Sequence, residues 1–98
     1  MYVALMPKTR SAQTLRLTVP ALMGVHLESQ EDLGQAIGLT QGQISRKLAG
    51  KAVITLDDCD KIAEHYGISI LELLSGTEIA VTKSLEAKAK ESGPAIPG

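Results

Sequence analysis

Aromatic residues are almost absent from the sequence: among its 98 residues there is no Trp, no Phe and only two Tyr. The 44% of residues that are hydrophobic are therefore mainly aliphatic, and a core of such side chains favours packed helices. A chain of this length forms one domain at most. The length thus excludes a two-domain enzyme with a separate cofactor-binding module.

Cysteine is limited to Cys59, which excludes an internal disulfide and a cysteine-based zinc site. No stretch approaches the ~18 consecutive apolar residues that a membrane-spanning helix needs. The first residues carry no basic leader, and Pro7 interrupts their short apolar run, which argues against a secretory signal. We therefore expect a soluble, cytoplasmic protein without a membrane partner.

Candidates for catalysis and metal binding are also lacking. His26 and His65 stand apart from other ligand types, and the carboxylates of residues 57–60 complement a helix dipole more simply than they bind a cation. The sequence has no glycine-rich phosphate loop and no motif that places a catalytic triad or a Cys/His pair. We expect no catalytic residue, no metal site, no cofactor and no small-molecule ligand, and therefore no enzyme.

Charge is segregated along the chain, although the net charge is only −1. Residues 6–27 and 38–51 each carry three basic residues and no acid, whereas residues 28–37 and 52–78 are acidic. Two basic patches on an otherwise acidic molecule are typical of a focused anion-binding face, as in small DNA-binding proteins. Charge alone is equally compatible with ordinary solvated side chains.

Helix start signals recur from Ser29 onward, each a hydroxyl residue followed three positions later by an acceptor side chain. The four pairs are Ser29 with Asp32, Thr40 with Gln43, Thr55 with Asp58 and Ser69 with Glu72. Glycines that favour a left-handed helix end follow each segment: Gly38, Gly50, Gly67 and Gly76. These signals predict helices over residues 30–37, 41–49, 56–66 and 70–75.

The region before these helices is ambiguous because Pro20 interrupts a helical apolar pattern. A proline inside a helix costs ~3 kcal/mol unless it lies in the first turn, so we expect the first helix to begin near Thr18. Alternation of apolar and polar residues over 14–19 fits a short strand equally well.

At the other end, residues 78–82 alternate like a short strand, and residues 84–90 resemble a weak helical turn. Residues 2–5 are a candidate partner strand for this edge. The sequence therefore predicts three parts: an N-terminal extension or arm (1–17), a helical domain (18–76) and a C-terminal extension (77–98).

The second and third predicted helices are separated by only Gly38, Leu39 and Thr40, which forces them to cross steeply. This arrangement is a helix-turn-helix. Gly34 is expected where the two helices approach closely, and Leu39 is expected to fill the core beneath the turn. The outward face of the third predicted helix carries mostly small side chains and one basic residue: Gly42, Ser45, Arg46 and Ala49. Such a face fits a major groove, where arginine suits guanine and glutamine suits adenine.

The segment from Ser29 to Lys51, followed by that from Thr55 to Ser69, resembles the lambda-repressor-like (XRE, or Cro/repressor) helix-turn-helix family. The resemblance implies an all-α, compact five-helix domain over 18–76, with possible short β-strands in the two extensions. It also implies a DNA-binding transcriptional regulator, of phage or prokaryotic repressor type. Glu28 and Lys47 stand where the family commonly has apolar residues.

The resemblance assigns roles residue by residue, with Gln30 expected to touch the side chain of Gln41. The residues expected to read bases are Gln41, Gly42, Ser45 and Arg46. Those expected to contact phosphates or flanking DNA are Gln30, Thr40, Gln43, Lys47, Lys51, Lys8 and Arg10, the last two in a flexible arm. Because the chain contains no Asn, amide recognition of adenine has to come from glutamine.

We further expect a homodimer, because one recognition helix reads only a few base pairs. Since the recognition helix has to stay free for DNA, the interface is predicted at the C-terminal side, through Ile70, Leu71, Leu74, Ile79 and Val81. A second function class stays open, a protein-interaction module on the same fold such as an antitoxin or anti-repressor.

Overall fold

The computed structural model of the protein describes residues 4–5 and 10–91. The helices are α1 (Arg10–Val25), α2 (Gln30–Ile37), α3 (Gln41–Leu48), α4 (Leu56–Tyr66), α5 (Ile70–Leu74) and α6 (Thr77–Glu91). Two strands of two residues each, β1 (Ala4–Leu5) and β2 (Ile54–Thr55), accompany them. The predicted all-α fold is confirmed, and α6 adds a sixth helix to the five expected.

All four predicted capping boxes are present. In each, a Ser or Thr hydroxyl accepts the N–H of the residue three positions later, whose side chain accepts the N–H of the cap residue. The glycine ends predicted for α2 and α4 are also confirmed, since Gly38 and Gly67 adopt left-handed backbone with φ of 79° and 72°. Local hydrogen bonds thus define both ends of helices that are too short to be stable in isolation.

The first helix is longer than predicted. α1 begins at Arg10, so the expected beginning near Thr18 is wrong, as is the alternative strand over 14–19. Pro20 lies within α1 on an exposed position and costs about 3 kcal/mol there. Burial of a leucine side chain stabilises the folded state by roughly 1.5–3 kcal/mol. The helix continues through the proline because it buries a long stripe: Ala12, Leu15, Thr18, Val19, Leu22 and Met23.

The prediction of a C-terminal strand is wrong, because residues 78–82 belong to α6. Ala80 and Ser84 are fully buried and Val81 is partly buried, which is the spacing of a helix face and not of a strand. An alternating sequence of this length is ambiguous, and packing against α1 and α5 decides for the helix.

A short N-terminal strand is present, but its partner differs from the expected one. β1 pairs with β2 in antiparallel fashion, with Ala4 opposite Thr55 and Leu5 opposite Ile54. The pairing ties the N-terminal region to the entrance of α4 and not to the C-terminal segment. Tyr2 and Val3, the other residues of the predicted strand, lie outside the described residues.

α1 and α6 lie side by side and run in the same direction. The hydroxyl oxygens of Thr18 and Thr77 are 3.1 Å apart, and about two helical turns further along His26 Nε2 is 2.9 Å from Ser84 Oγ. Ala80, between these contacts on α6, is fully buried. α6 therefore covers α1 with small side chains that allow a close approach.

The predicted helical domain over residues 18–76, with separate extensions on both sides, stays a prediction. Leu15 on one side of these boundaries and Ala80 on the other are buried in the same hydrophobic core as the residues between them. The described parts of both extensions thus contribute to the core of the helical domain.

A polar cluster closes the core where α1 ends. Both carboxylate oxygens of Glu28 are engaged: Oε1 accepts the Tyr66 hydroxyl and Oε2 lies near His65 Nε2, each at 2.6 Å. Burial, followed by the hydrogen bond to Glu28, raises the pKa of Tyr66 well above its ordinary value. Glu28 therefore connects the α1–α2 loop to the end of α4. It stands where the family that the sequence resembles commonly has an apolar residue.

His26 belongs to the same end of the molecule. The Ser84 hydroxyl donates to the Val81 carbonyl at 2.8 Å, so its oxygen is left to accept the proton of His26 Nε2. Burial and, to a lesser extent, the positive charge of Lys88 lower the pKa of His26 below 6.5. The neutral imidazole is therefore the form that fits between α1 and α6.

The turn between α2 and α3 depends on Gly34. The Gly34 carbonyl accepts the N–H of Leu39 at 2.8 Å, which draws the turn back over α2. A Cβ placed on Gly34 would overlap the Leu39 carbonyl oxygen. The close approach predicted for this glycine is thus confirmed, and Leu39 packs against the core as expected.

Gly34→Ala is expected to lower the free energy of unfolding by about 1–3 kcal/mol, because the backbone of the turn has to move to admit the methyl group. Chemical denaturation monitored by circular dichroism measures the change. Gly24→Ala is the matched control, since nothing lies within 4 Å of its added Cβ and alanine favours a helix by about 0.5–1 kcal/mol. Equal stabilities of the two variants would contradict the steric argument.

The lowered pKa of His26 predicts a pH-dependent stability. Just below pH 6.5 the unfolded state binds more protons at this residue than the folded state, so the free energy of unfolding falls as the pH drops toward the lowered pKa. His26→Gln is expected to flatten this dependence, and Lys88→Met to reduce it. Thermal melts between pH 5 and pH 8 measure the slopes. The same slope in His26→Gln as in the original protein would contradict the assignment.

Candidate nucleic-acid interface

The N-terminus of α3 is held by the capping box of Thr40 and Gln43. The Thr40 N–H donates to Gln43 Oε1 at 2.8 Å, and the Gln43 N–H donates to Thr40 Oγ1 at 3.1 Å. Both side chains are exposed. The amide oxygen of Gln43 is thus occupied by its own helix, and its NH₂ group is the part that can serve an external acceptor.

Gln30 and Gln41 connect the beginnings of α2 and α3. Gln41 Nε2 donates to Gln30 Oε1 at 3.2 Å, so the side-chain contact implied by the family resemblance is confirmed. The bond restricts the rotation of Gln41 while its amide group stays on the exposed surface. A side chain oriented in this way is prepared for bidentate contact with a base edge.

One face of α3 is exposed and carries no acid. Gln41, Gly42, Gln43 and Arg46 are exposed, whereas Ile44 on the opposite face is buried. Ser45 is partly buried beside Arg46. The structure therefore brings the four residues expected to read bases to a single helix, with the small side chains giving room around Arg46.

Arg46 and Lys51 form the basic end of this face. Arg46 Nη2 lies 3.4 Å from the Lys51 carbonyl oxygen, and the Lys51 N–H donates to the Arg46 carbonyl at 2.8 Å. Both side chains are exposed. The turn after α3 thus joins these two basic residues at the end of the helix.

Lys47 does not share this exposed face. Its ammonium donates to Asp58 Oδ2 at 2.6 Å and to the Val53 carbonyl at 2.9 Å, and only 19% of the side chain is exposed. The phosphate contact expected for Lys47 thus competes with two internal acceptors. Sequence reasoning missed Asp58 as a partner; the available signal was a lysine at an inward helix position, which requires a nearby counter-charge.

Two basic residues, Lys8 and Arg10, are expected in an N-terminal arm. Arg10 is the first residue of α1 and is exposed. Lys8 lies outside the described residues. Sequence reasoning assigned no role to Arg16, whose guanidinium lies over Gly50 at the end of α3: a Cβ on Gly50 would stand 3.6 Å from it.

The five residues expected at a dimer interface fall into two groups. Ile70, Leu74 and Val81 pack against the hydrophobic core, so they are largely engaged within the protomer. Leu71 and Ile79 are exposed, at 79% and 45%. Of the predicted set, these two are the side chains that another molecule can reach.

The packed pair α2–α3, its three-residue turn and the acid-free exposed face of α3 define a helix-turn-helix of the DNA-binding kind. Residues 29–73 match a family model described as Helix-turn-helix. No curated protein and no solved structure matches the chain significantly. Residues 29–73 therefore form a helix-turn-helix domain of the lambda-repressor-like (XRE) type.

This family indicates a DNA-binding regulator and is generally non-enzymatic. In the part of the chain that the structure describes, no group of three or more His, Cys, Asp or Glu residues is placed to hold a metal ion. Within the same residues, no helix has the length and apolar character needed to span a membrane. Cys59 is fully buried, and burial raises the pKa of its thiol to about 11, which suits the core role expected for it.

Proposed function

We propose that this chain is a cytoplasmic transcriptional repressor of phage or prokaryotic type, which binds operator DNA as a homodimer with α3 in the major groove. The exposed, acid-free face of α3, with Gln41 held in place by Gln30, is the observation that carries the proposal. The helix-turn-helix domain over residues 29–73 implies double-stranded DNA as the ligand of such a helix.

The roles divide between bases and phosphates. Gln41 and Arg46 are the candidates for direct base recognition, with Gly42 and Ser45 close to the base edges. Backbone N–H groups at the start of α3 favour a phosphate near Thr40, since the helix dipole adds positive potential there. Flanking phosphate contacts are assigned to Gln30, Gln43, Lys51, Arg10 and Lys8.

Arg46 and Lys51 differ in what they can recognise. The planar guanidinium of Arg46 donates two parallel hydrogen bonds to guanine, whereas the Lys51 ammonium acts as a point charge toward phosphate. The long bond of 3.4 Å from Arg46 to the Lys51 carbonyl is weak and costs little to exchange for a base. The pair therefore allows sequence recognition to be separated from charge attraction.

Arg46→Ala is expected to weaken binding to a duplex selected from a random-sequence pool by ~1–3 kcal/mol and to change binding to a scrambled duplex much less. Lys51→Ala, the matched control, is expected to weaken both alike and to reduce the slope of log K against log salt by about 1 per protomer. Fluorescence anisotropy over a salt series measures both quantities.

Equal losses on both duplexes for Arg46→Ala would make Arg46 a phosphate contact. For the original protein as a dimer, contact with six to eight phosphates corresponds to a slope of roughly −5 to −7. A slope near zero would contradict DNA binding and favour the protein-interaction module.

Dimerisation is proposed through exposed apolar side chains of α5 and α6, and Leu71 and Ile79 are the candidates. Two copies related by a two-fold axis place their recognition helices about 34 Å apart, one turn of DNA. Ile70, Leu74 and Val81 support this surface from the core side. Removing α6 does not isolate the interface, because Ala80 and Ser84 are buried parts of the protomer.

Leu71→Gln and Ile79→Gln are therefore expected to raise the dimer dissociation constant at least about tenfold while the thermal melting temperature changes little, because each removes buried apolar area from both copies. Leu27→Gln is the control, since this leucine is 91% exposed in the α1–α2 connection. Analytical ultracentrifugation measures the association. Unchanged association in both variants would move the interface elsewhere, and a protein that is monomeric both free and on DNA would exclude it.

A further inference from the structure

Lys47 forms a largely buried ion pair that joins the last turn of α3 to the first turn of α4. Its ammonium lies 2.6 Å from Asp58 Oδ2, and the two side chains are 19% and 11% exposed. The Val53 carbonyl, in the connection between the two helices, accepts a second hydrogen bond at 2.9 Å. One ammonium thus contacts α4 and the segment that leads to it from α3.

Asp58 is itself fixed to the backbone. The oxygen that accepts from Lys47 also accepts the N–H of Thr55 at 2.9 Å, and the Asp58 N–H donates to Thr55 Oγ1 at 3.0 Å. The carboxylate therefore serves the capping box of α4 and the ion pair at once. Since the capping box holds it in one place, Lys47 is attached to a fixed point.

The aliphatic part of Lys47 takes the place of an apolar residue. It lines a small internal cavity of about 20 Å³ together with Leu15, Ile54 and Ile62, while the ammonium reaches Asp58 at the margin. Lys47 directly follows Arg46 in α3, and Arg46 is joined to Lys51 by two hydrogen bonds: Arg46 Nη2 to the Lys51 carbonyl, and the Lys51 N–H to the Arg46 carbonyl. A shift of Lys47 would move both cations.

We propose that the pair of Lys47 and Asp58 sets the position of the end of α3, so that Lys47 is a positioning residue for base recognition and not a phosphate contact. The inference rests on the proposed DNA binding by α3. It assigns Asp58, which lies away from the exposed face of α3, an indirect part in sequence recognition.

If Lys47 and Asp58 act as a pair, the effects of substituting them are not additive, unlike those of two independent contacts. Removal of one member of a buried pair leaves an uncompensated charge, whereas removal of both with little change of volume is close to neutral. Lys47→Met keeps the aliphatic stem, and Asp58→Asn keeps an oxygen acceptor for Thr55. The two single variants and the double variant thus form a double-mutant cycle in which the capping box is retained.

Each single variant is expected to lower the ratio of affinities for the selected and the scrambled duplex by about tenfold, and the double variant to recover it to within about threefold, as expected for coupled groups. Lys61→Met is the matched control: Lys61 pairs with Asp57 at 3.1 Å, but their side chains are 52% and 72% exposed. It is expected to leave the ratio unchanged.

The salt dependence distinguishes positioning from phosphate contact. Lys47→Met is expected to keep the slope of log K against log salt of the original protein, unlike Lys51→Ala, which reduces it by about 1 per protomer. A slope reduced equally by both substitutions would overturn the proposal. So would additive effects of Lys47→Met and Asp58→Asn on the affinity ratio.

Hydrogen exchange in the free protein tests the pair without DNA. The amides of Ala49, Gly50 and Lys51 donate to carbonyls of α3, so their protection reports the order of its last turn. The two single variants are expected to accelerate their exchange more than the double variant and Lys61→Met do. If the original protein fails to discriminate duplexes, the proposed function fails; unchanged exchange in the single variants overturns the positioning role by itself.

Discussion

The close approach of the Leu39 carbonyl to Gly34 determines the arrangement of the two helices that form the proposed DNA-binding surface. The turn between α2 and α3 folds back over α2, and the hydrogen bond from the Leu39 N–H to the Gly34 carbonyl holds it there. With three residues between the helices, α3 has to leave at a steep angle. That angle buries Ile44 and leaves Gln41 and Arg46 outside, so a single missing Cβ has consequences for which side chains face a groove.

α1 supports this arrangement from behind and connects it to the ends of the chain. Leu15 and Val19 share the core with the residues of α2 and α3, and on its other side α1 packs along α6. The hydrogen bonds of Thr18 with Thr77 and of His26 with Ser84 couple α1 to α6 at two levels. The proposed DNA-binding face and the candidate dimer face therefore belong to one packed body.

Local signals explain what could be predicted from the sequence. A capping box involves side chains and backbone within three residues, so the starts of α2 to α5 follow from sequence spacing alone. The need for a small residue at Gly34 also follows, because the length of the turn is visible in the sequence. The contact of Gln30 with Gln41 came from the family resemblance, since nothing in the spacing of two exposed glutamines requires it.

The errors concern segments whose structure depends on distant partners. Pro20 indicates a helix start only if the burial of Leu15 and Ala12 upstream is ignored, and that burial depends on helices much later in the chain. Residues 78–82 alternate in polarity, yet α1 offers a helical groove and β1 is already paired with β2. Short apolar patterns of this kind do not distinguish strand from helix without knowledge of the packing.

The ion pair of Lys47 with Asp58 changes the electrostatic character of the proposed interface. Because Asp58 compensates the charge of Lys47, Arg46 and Lys51 are the exposed basic residues within 38–51. With Arg46 assigned to a base, the one phosphate contact of Lys51 would contribute a salt slope of only about −0.9, so this part of the proposed interface would attract DNA weakly. The glutamines on the same face are neutral and add hydrogen bonds without charge. On the proposed interface sequence discrimination is therefore expected to depend less on salt than affinity does, and the proposed second copy would supply further contacts.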